Sequence, residues 1–376
     1  MAKYDAIVVG LGIMGTAALS TLARRGARVL GIERFAPGHD KGSSHGETRV
    51  IRLGYFEHPS YVPLLRSAYE LWRELEAASG QELLRVTGIA EIGPPDGAVV
   101  PGTLLASRTH GLPHEVLKAA ALMERFPAFR IPPGFVGVVQ PDGGFVAVET
   151  AIEAQLALAR AAGAEVGTGM TVDSIESSGD GASIEIGPLR LAADTVIVAA
   201  GPWLKRLLPD IPVQVRVTRQ VMAWFEPRDA AAFAAGRFPV FVIESRHGVH
   251  YGFPPRGSGG VKVAKHHHGN ETVDPDRHDR TVSAADESLI RSALAEHIPA
   301  ANGKLLAAKT CLYTVTPDGD FIIDRMPGAP NVIVASPCSG HGFKFAPVVG
   351  EILADLATAG TTRHDISRFR IGRFSS

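Results

Sequence analysis

Cysteine is nearly missing from this chain. Only Cys311 and Cys338 occur among 376 residues, so at most one bridge can form, no disulfide framework is available, and a reducing compartment, the cytoplasm, is the expectation. An excess of charge of one sign is missing too. A formal net charge of -1 excludes a nucleic-acid partner gripped by bulk positive charge. The chain has no P-loop and no H-E-x-x-H pair, and its G-x-S-x-G string at 42–46 lies in a polar, glycine-rich stretch and not between a strand and a helix, so it is no nucleophile elbow; hydrolase, kinase and zinc-peptidase chemistry are set aside. It has no internal repeat or low-complexity tract. One long uncharged stretch exists, residues 6–23. Its glycines divide it into a strand, a turn and a helix, which fits better than a signal peptide or a membrane span.

What is present begins with that stretch. "YDAIVVGLGIMGTAALSTLARRGARVLGIER" places Gly10, Gly12 and Gly15 as G-x-G-x-x-G between an apolar strand and a helix. A second strand ends in Glu33, 18 residues after Gly15. Gly10 permits the tight turn, Gly12 lets backbone approach a pyrophosphate, and Gly15 lets the helix pack on the strand. The helix N-terminus presents N–H groups and partial positive charge to phosphates. Glu33 suits an unphosphorylated ribose, which disfavours NADP and leaves NAD and FAD open.

The remaining pattern alternates α/β and β-rich segments. Helices are expected at 61–80, 148–163, 284–297 and 346–359, and strands at 86–92, 164–167, 194–203, 213–226, 240–253 and 331–335. Residues 94–102, rich in proline and glycine, read as a loop. The expected fold is an α/β (α+β composite) chain: a Rossmann-like nucleotide-binding domain from 1–80, 146–215 and 321–376, with a mixed β-sheet substrate domain inserted as 81–145 and 216–320. A pocket between the two is the natural small-molecule site.

Three clusters carry candidate chemistry. In "GSSHGETRVIR", Arg49 and Arg52 lie three apart and share a face if the segment is helical. In "GVKVAKHHHGNETVDPD", Lys262 alternates with Val261 and Val263 and so points away from them. The three histidines that follow read as an exposed loop and not a metal site, because neighbours on a strand face opposite ways. In "ASPCSGHGFKFAPVVGEILADL", a strand, a glycine turn and a helix repeat the N-terminal logic. Two glycine-rich approaches suit a cofactor as long as FAD better than NAD. Cys311, in "KTCLYTVTPDGDF", reads on its own as a small buried hydrophobe.

Together "VVGLGIMG", "GSSHGETRVIR", "VTRQVMAWFE", "HYGFP", "CLYTVTPDGDFIID" and "SGHGFKFAPVVGEIL" resemble the motifs of the monomeric sarcosine oxidase and N-methyltryptophan oxidase family, from about residue 4 to 369. The resemblance implies a D-amino-acid-oxidase-like flavoprotein that oxidises the C–N bond of small secondary amino acids, N-methyl or cyclic. Its partners are the amino acid and O2, with H2O2 as product, no nucleic acid, no membrane, and a monomeric state. It implies FAD tethered through Cys311, and cofactor contacts from Gly10, Gly12, Gly15, Glu33, Arg34, Ser43, Thr48, Gly340 and Gly342. It implies substrate contacts from Arg52, Lys344, Tyr251, Tyr313 and His341, and catalytic roles for Lys262, Arg49 and His266, with no metal. The chain departs from the family pattern at Pro337 and Cys338, and at Lys265. A related FAD dehydrogenase with another acceptor and a non-catalytic binder of the cofactor are the alternatives.

Overall fold

The computed structural model describes residues 3–234, 236–256 and 259–374. Strand β1 (Tyr4–Val9), helix α1 (Ile13–Arg24) and strand β2 (Val29–Glu33) open the chain, with β1 and β2 parallel and in register from Ala6↔Val29 to Val9↔Ile32. β1 is central in an eight-stranded sheet. On its other side runs Leu189–Val198, also parallel, and beyond β2 lies Glu165–Thr168. The late strand Ala329–Ser336 joins parallel to Leu189–Val198. The central strands of this sheet bury both faces, which is why they read as near-continuous apolar runs. Helix α1 and the helices Val62–Ser79, Val148–Ala161 and Ala346–Thr358 cover one face, in a core holding Leu19, Leu22, Ile352 and Trp72. Leu204, Leu208 and Ile211 close the other.

The second sheet also has eight strands, from Leu305–Val315 at one edge to Glu115–Lys118 at the other. It is antiparallel except where Val240–Ser245 runs parallel to Ile89–Gly93. Helix Ala284–His297 packs Ile290 and Leu294 on it beside Phe225, Val261 and Val263. Its N-terminus is closed by a capping box in which Ser283 and Asp286 each accept from the other's backbone N–H. A small third sheet sits between the other two and contains strand β3 (Thr48–Ile51), Gly144–Ala147 and Leu84–Val86.

Four expectations are corrected. The 86–92 strand is two strands in different sheets, Leu84–Val86 and Ile89–Gly93, because Gly88, at φ +73°, breaks the extended run. The 94–102 loop is helical from Val99 to His110. Pro101 falls in the first turn, where its missing N–H costs nothing. The 240–253 strand is a hairpin, Val240–Ser245 and Gly248–Phe253, turning at Arg246 and His247. Arg49 and Arg52 share no helical face, since Thr48–Ile51 is a strand paired with Gly144–Ala147. The uncharged stretch 6–23 becomes most of β1, the glycine turn and most of α1, and among the described residues no helix is long and apolar enough to cross a membrane.

Candidate active site

A continuous cleft runs from the Gly10–Gly15 turn and Glu33 to Arg52, Tyr313, His341 and Lys344. At its first end Gly10 takes φ +91°, and a Cβ there would lie 2.6 Å from the Ala199 carbonyl oxygen. A Cβ on Gly15 would lie 1.8 Å from the Gly10 oxygen. Gly12 is different: it caps α1 without a side chain, and a Cβ there would meet only the Ser44 hydroxyl, at 3.3 Å. Its backbone therefore stays open toward the cleft. Ser44 Oγ accepts from the Ile13 N–H at 3.3 Å, a contact that the choice of its neighbour Ser43 missed.

Glu33 is buried at the end of β2. One carboxylate oxygen accepts from Leu11 N–H at 2.8 Å and the other from Phe35 N–H at 2.9 Å. Burial alone raises the pKa of this carboxyl, but the His39 contact and these two N–H groups prevail and lower it, so it stays ionised. Arg34 lines the cleft but gives its guanidinium to Asp276 at 2.7 Å. An open-backbone turn at a helix start, an ionised carboxylate at the next strand end and a long cleft beyond are what a dinucleotide demands. The residues fit FAD.

These differences between the glycines make a prediction. Gly12→Ala should yield folded protein with flavin occupancy reduced at least about tenfold, because the added methyl stands where the pyrophosphate approaches. Gly15→Ala should give little soluble protein. Flavin-to-protein absorbance ratio and circular dichroism check both; normal flavin content in Gly12→Ala would contradict the assignment.

Beyond the turn, the segment 42–52 places two arginines on different tasks, as strand alternation requires for odd spacing. Arg49 donates to Ser43 O at 2.8 Å and to Thr48 O at 2.9 Å, with an Nη 3.7 Å from Cys311 Sγ. Ser43 Oγ donates to Leu312 O at 2.5 Å, tying this loop to the strand of Cys311. Cys311 is buried, with the Gly42, Ser43 and Leu312 carbonyl oxygens 3.8–3.9 Å from its sulfur. Lys262, 2% exposed, lies behind this wall and is not among the cleft-lining residues. Its ammonium donates to Gly46 O at 2.6 Å, Thr48 O at 2.7 Å and Thr48 Oγ1 at 3.2 Å, over the rings of Phe253 and Trp224. Burial, then Arg49, pushes its pKa well below the lysine value.

At the far end, Arg52 is buried and gathers two acids that pattern reading missed. One Nη donates to both oxygens of Glu57, at 3.0 and 2.8 Å. Its Nε lies 3.0 Å from Glu91 Oε1, yet neither that N–H nor either Glu91 oxygen makes a directed hydrogen bond. That contact is electrostatic. The other Nη is also buried and without a partner. The Arg52 guanidinium lies 4.4 and 4.5 Å from the Tyr55 and Phe56 ring centres. Lys344 is buried at the entry to helix Ala346–Thr358; its Nζ donates to His341 O at 2.6 Å and approaches Tyr55 Oη at 3.5 Å. Burial and Arg52 lower its pKa to about 7. Glu91 was legible in "GIAEIG" only as an acid inside an apolar strand.

Aromatic and imidazole groups complete this end. Tyr251 and Tyr313 hydroxyls are 3.4 Å apart, and His266 packs on Tyr313 with ring centres 5.6 Å apart. His341 Nε2 faces the Gly319 carbonyl at 3.0 Å and therefore carries the proton, so Nδ1 accepts from Tyr55 at 2.5 Å. Burial lowers the His341 pKa to about 4. The histidine run is not an exposed loop: His266 lines the cleft and the buried His268 pairs with Asp286 at 2.9 Å. Gly340 and Gly342 line the cleft too. Among the described residues no cluster of ligating side chains could hold a metal.

Comparison with known proteins agrees with this geometry. Residues 5–356 match the family model described as FAD dependent oxidoreductase; the chain belongs to that family, and its cofactor is FAD. Among curated relatives it is 39% identical to monomeric sarcosine oxidase of Bacillus sp. strain NS-129 over 375 residues, 98% of this chain and 97% of that protein. It is 37% identical to N-methyl-L-tryptophan oxidase of Salmonella arizonae over 374 residues, 99% of this chain and 100% of that protein. Among solved structures, NikD, an amino acid oxidase essential for nikkomycin biosynthesis, superposes with a TM-score of 0.87 at 27% identity, covering 98% of each chain.

Proposed function

We propose that the protein is an FAD-dependent oxidase of small secondary amino acids, N-methyl or cyclic, such as sarcosine. The observation that carries this is the buried pair Arg52 and Lys344 at the end of a cleft that starts at a dinucleotide turn. FAD, when bound, supplies the two-electron acceptor for the C–N bond and passes the electrons to O2, with H2O2 as product. The imine hydrolyses in water, releasing formaldehyde from an N-methyl group.

The chain's own residues position and select. Arg52, through its unpartnered Nη, and Lys344 hold the carboxylate, which fixes the amine and α-carbon and removes the entropy of encounter. Simple amines gain nothing from this clamp, because they leave the buried Arg52 Nη without a partner. Tyr251, Tyr313, His266 and His341 wall the space around the amine. Burial keeps His266 and His341 neutral near pH 7, so no imidazolium repels a cationic substrate. The amine must be neutral to give up electrons, so the amine-oxidising half of turnover rises with pH. Lys262 places positive charge where oxygen becomes anionic. The division into a cofactor body (1–80, 146–215, 321–376) and a substrate body (81–145, 216–320) is supported by the two eight-stranded sheets, each built from one body, while the small third sheet joins strands of both. A monomeric, cytoplasmic enzyme completes the reading.

The same reading makes Cys311 a covalent FAD tether through a thioether. Support comes from the burial of Cys311 beside Arg49, an Nη of which lies 3.7 Å from Sγ. Acid precipitation should leave yellow colour with the parent polypeptide and release all of it from Cys311→Ser; colour in the parent supernatant would refute the tether. The function is tested with a panel of N-methyl and cyclic amino acids, scored by anaerobic flavin bleaching and then by peroxide formation in air. Rapid bleaching with dye reduction but no peroxide would point to a dehydrogenase.

A further inference from the structure

Glu91, like Glu57, belongs to the Arg52 cluster but has no part in the chemistry above. It sits on strand Ile89–Gly93 and is 0% exposed. Val138 and Val242 are its cross-strand neighbours, so neither flanking strand offers it a counter-charge at that position. The groups that act on it come from three other segments: Arg52 and Glu57 from the stretch after β3, Thr103 from helix Val99–His110, and Lys344 from the turn before the last helix. Neither of its oxygens has a hydrogen-bond partner among the described residues. An ionised carboxylate so placed is tolerable only while the cations beside it remain uncommitted.

Charge counting shows the difficulty. Arg52 and Lys344 bring two positive charges when both are protonated, and Glu57 and Glu91 two negative ones when both are ionised. A substrate carboxylate adds a third negative charge to a site with two cations. Glu57 is already held by two hydrogen bonds from Arg52 and faces the cleft, with its side chain 19% exposed. Glu91 is fully buried, and beside the charged groups only the Thr103 hydroxyl acts on it.

We propose that Glu91 holds Arg52 in place electrostatically when no ligand is bound, and takes up a proton when a carboxylate enters the Arg52–Lys344 clamp. The step transfers one proton from solvent to a Glu91 oxygen and leaves the cluster neutral where Lys344 is protonated. Glu91 is thus a positioning residue that couples carboxylate binding to pH. Burial, opposed by Arg52, sets its pKa to about 7, which puts the coupling in the working range. The inference rests on the carboxylate-clamp reading of this site.

The test uses FAD holoenzyme and propionate, a carboxylate without an amine. Affinity is read from the flavin spectrum, and proton uptake from calorimetry in buffers of different ionisation heat. The parent should take up close to one proton per propionate at about pH 8.5 and almost none at about pH 6, its Kd rising about tenfold per pH unit on the alkaline side. Glu91→Gln should take up less than half as much and show a flatter Kd profile. Equal uptake in both proteins would assign the proton to Lys344 and overturn the proposal. Should Glu91→Gln fail to fold, infrared difference spectra of the parent decide: propionate at alkaline pH should raise a protonated-carboxyl band that shifts with carbon-13 glutamate and persists in Glu57→Gln. Absence of that band overturns the proposal. A holoenzyme indifferent to propionate refutes the clamp itself, whereas binding without proton uptake refutes only the role of Glu91.

Discussion

Lys262→Met is expected to consume oxygen about 10²- to 10³-fold more slowly than the parent, while anaerobic bleaching by substrate changes by less than about threefold. The lysine lies one backbone layer behind the cleft, with its three donors spent on Gly46 and Thr48. Three acceptors match the three N–H bonds of an ammonium, whereas a neutral amine has two. A fixed charge in this wall would stabilise nearby anionic oxygen at no reorganisation cost. The pH sign follows from the lowered pKa. Charge on Lys262 is present at low pH and is lost as pH rises through that value, so oxygen consumption should decline on the alkaline side in the parent. The amine-oxidising half rises over the same range, and their product is bell-shaped. In Lys262→Met the oxygen half should be slow and flat. Stopped-flow measurement of each half separates them; unimpaired oxygen consumption would reduce Lys262 to a prop for residues 46–48.

The second large effect is expected at Lys344. Lys344→Met should lower kcat/KM for amino-acid substrates by about thirty- to a thousand-fold, the range of about 2–4 kcal/mol that loss of one buried charged partner costs. Lys344 is the cleaner partner to remove. Its Nζ is engaged by a backbone carbonyl and a phenol, so methionine breaks no direct ion pair, whereas loss of Arg52 breaks those with Glu57 and Glu91. The loss should appear chiefly in KM, with parental activity toward an amine lacking the carboxylate. Steady-state kinetics on the two substrate types checks this. An equal loss on both would mean that Lys344 shapes the site and not the carboxylate contact.

What the sequence revealed depended on how local the signal was. The first βαβ unit, the capped helix Ala284–His297 and the final strand–turn–helix were legible because turn glycines, caps and apolar period all lie within about thirty residues. The failures share a different cause. Residues 86–92 look continuous because both halves are apolar, but they serve different sheets, a decision made by distant partners Gly144–Val146 and Val136–Gln140. The 240–253 hairpin turns at Arg246 and His247 without the Asn-Gly or Asp-Gly signal. The helical pairing of Arg49 with Arg52 failed because β3 is fixed by strand Gly144–Ala147, almost a hundred residues later. Within the site, Arg52 and Lys344 line one end of the cleft, while Glu57 and Glu91 were missed because an acid's importance lay in the distant cation beside it.

The order of strands in the first sheet also sets a schedule. β1 must wait for Leu189–Val198, which in turn waits for Ala329–Ser336. The cleft needs Gly10 from the beginning of the chain and Lys344 from near its end. Such long-range pairing is slow, and until it is complete the apolar strand β1 lacks its flanking partner. Flavin capture is therefore a late event in biosynthesis. Shortage of the vitamin precursor would leave the nearly finished chain exposed to aggregation and proteolysis, so cellular abundance of the protein should track riboflavin supply.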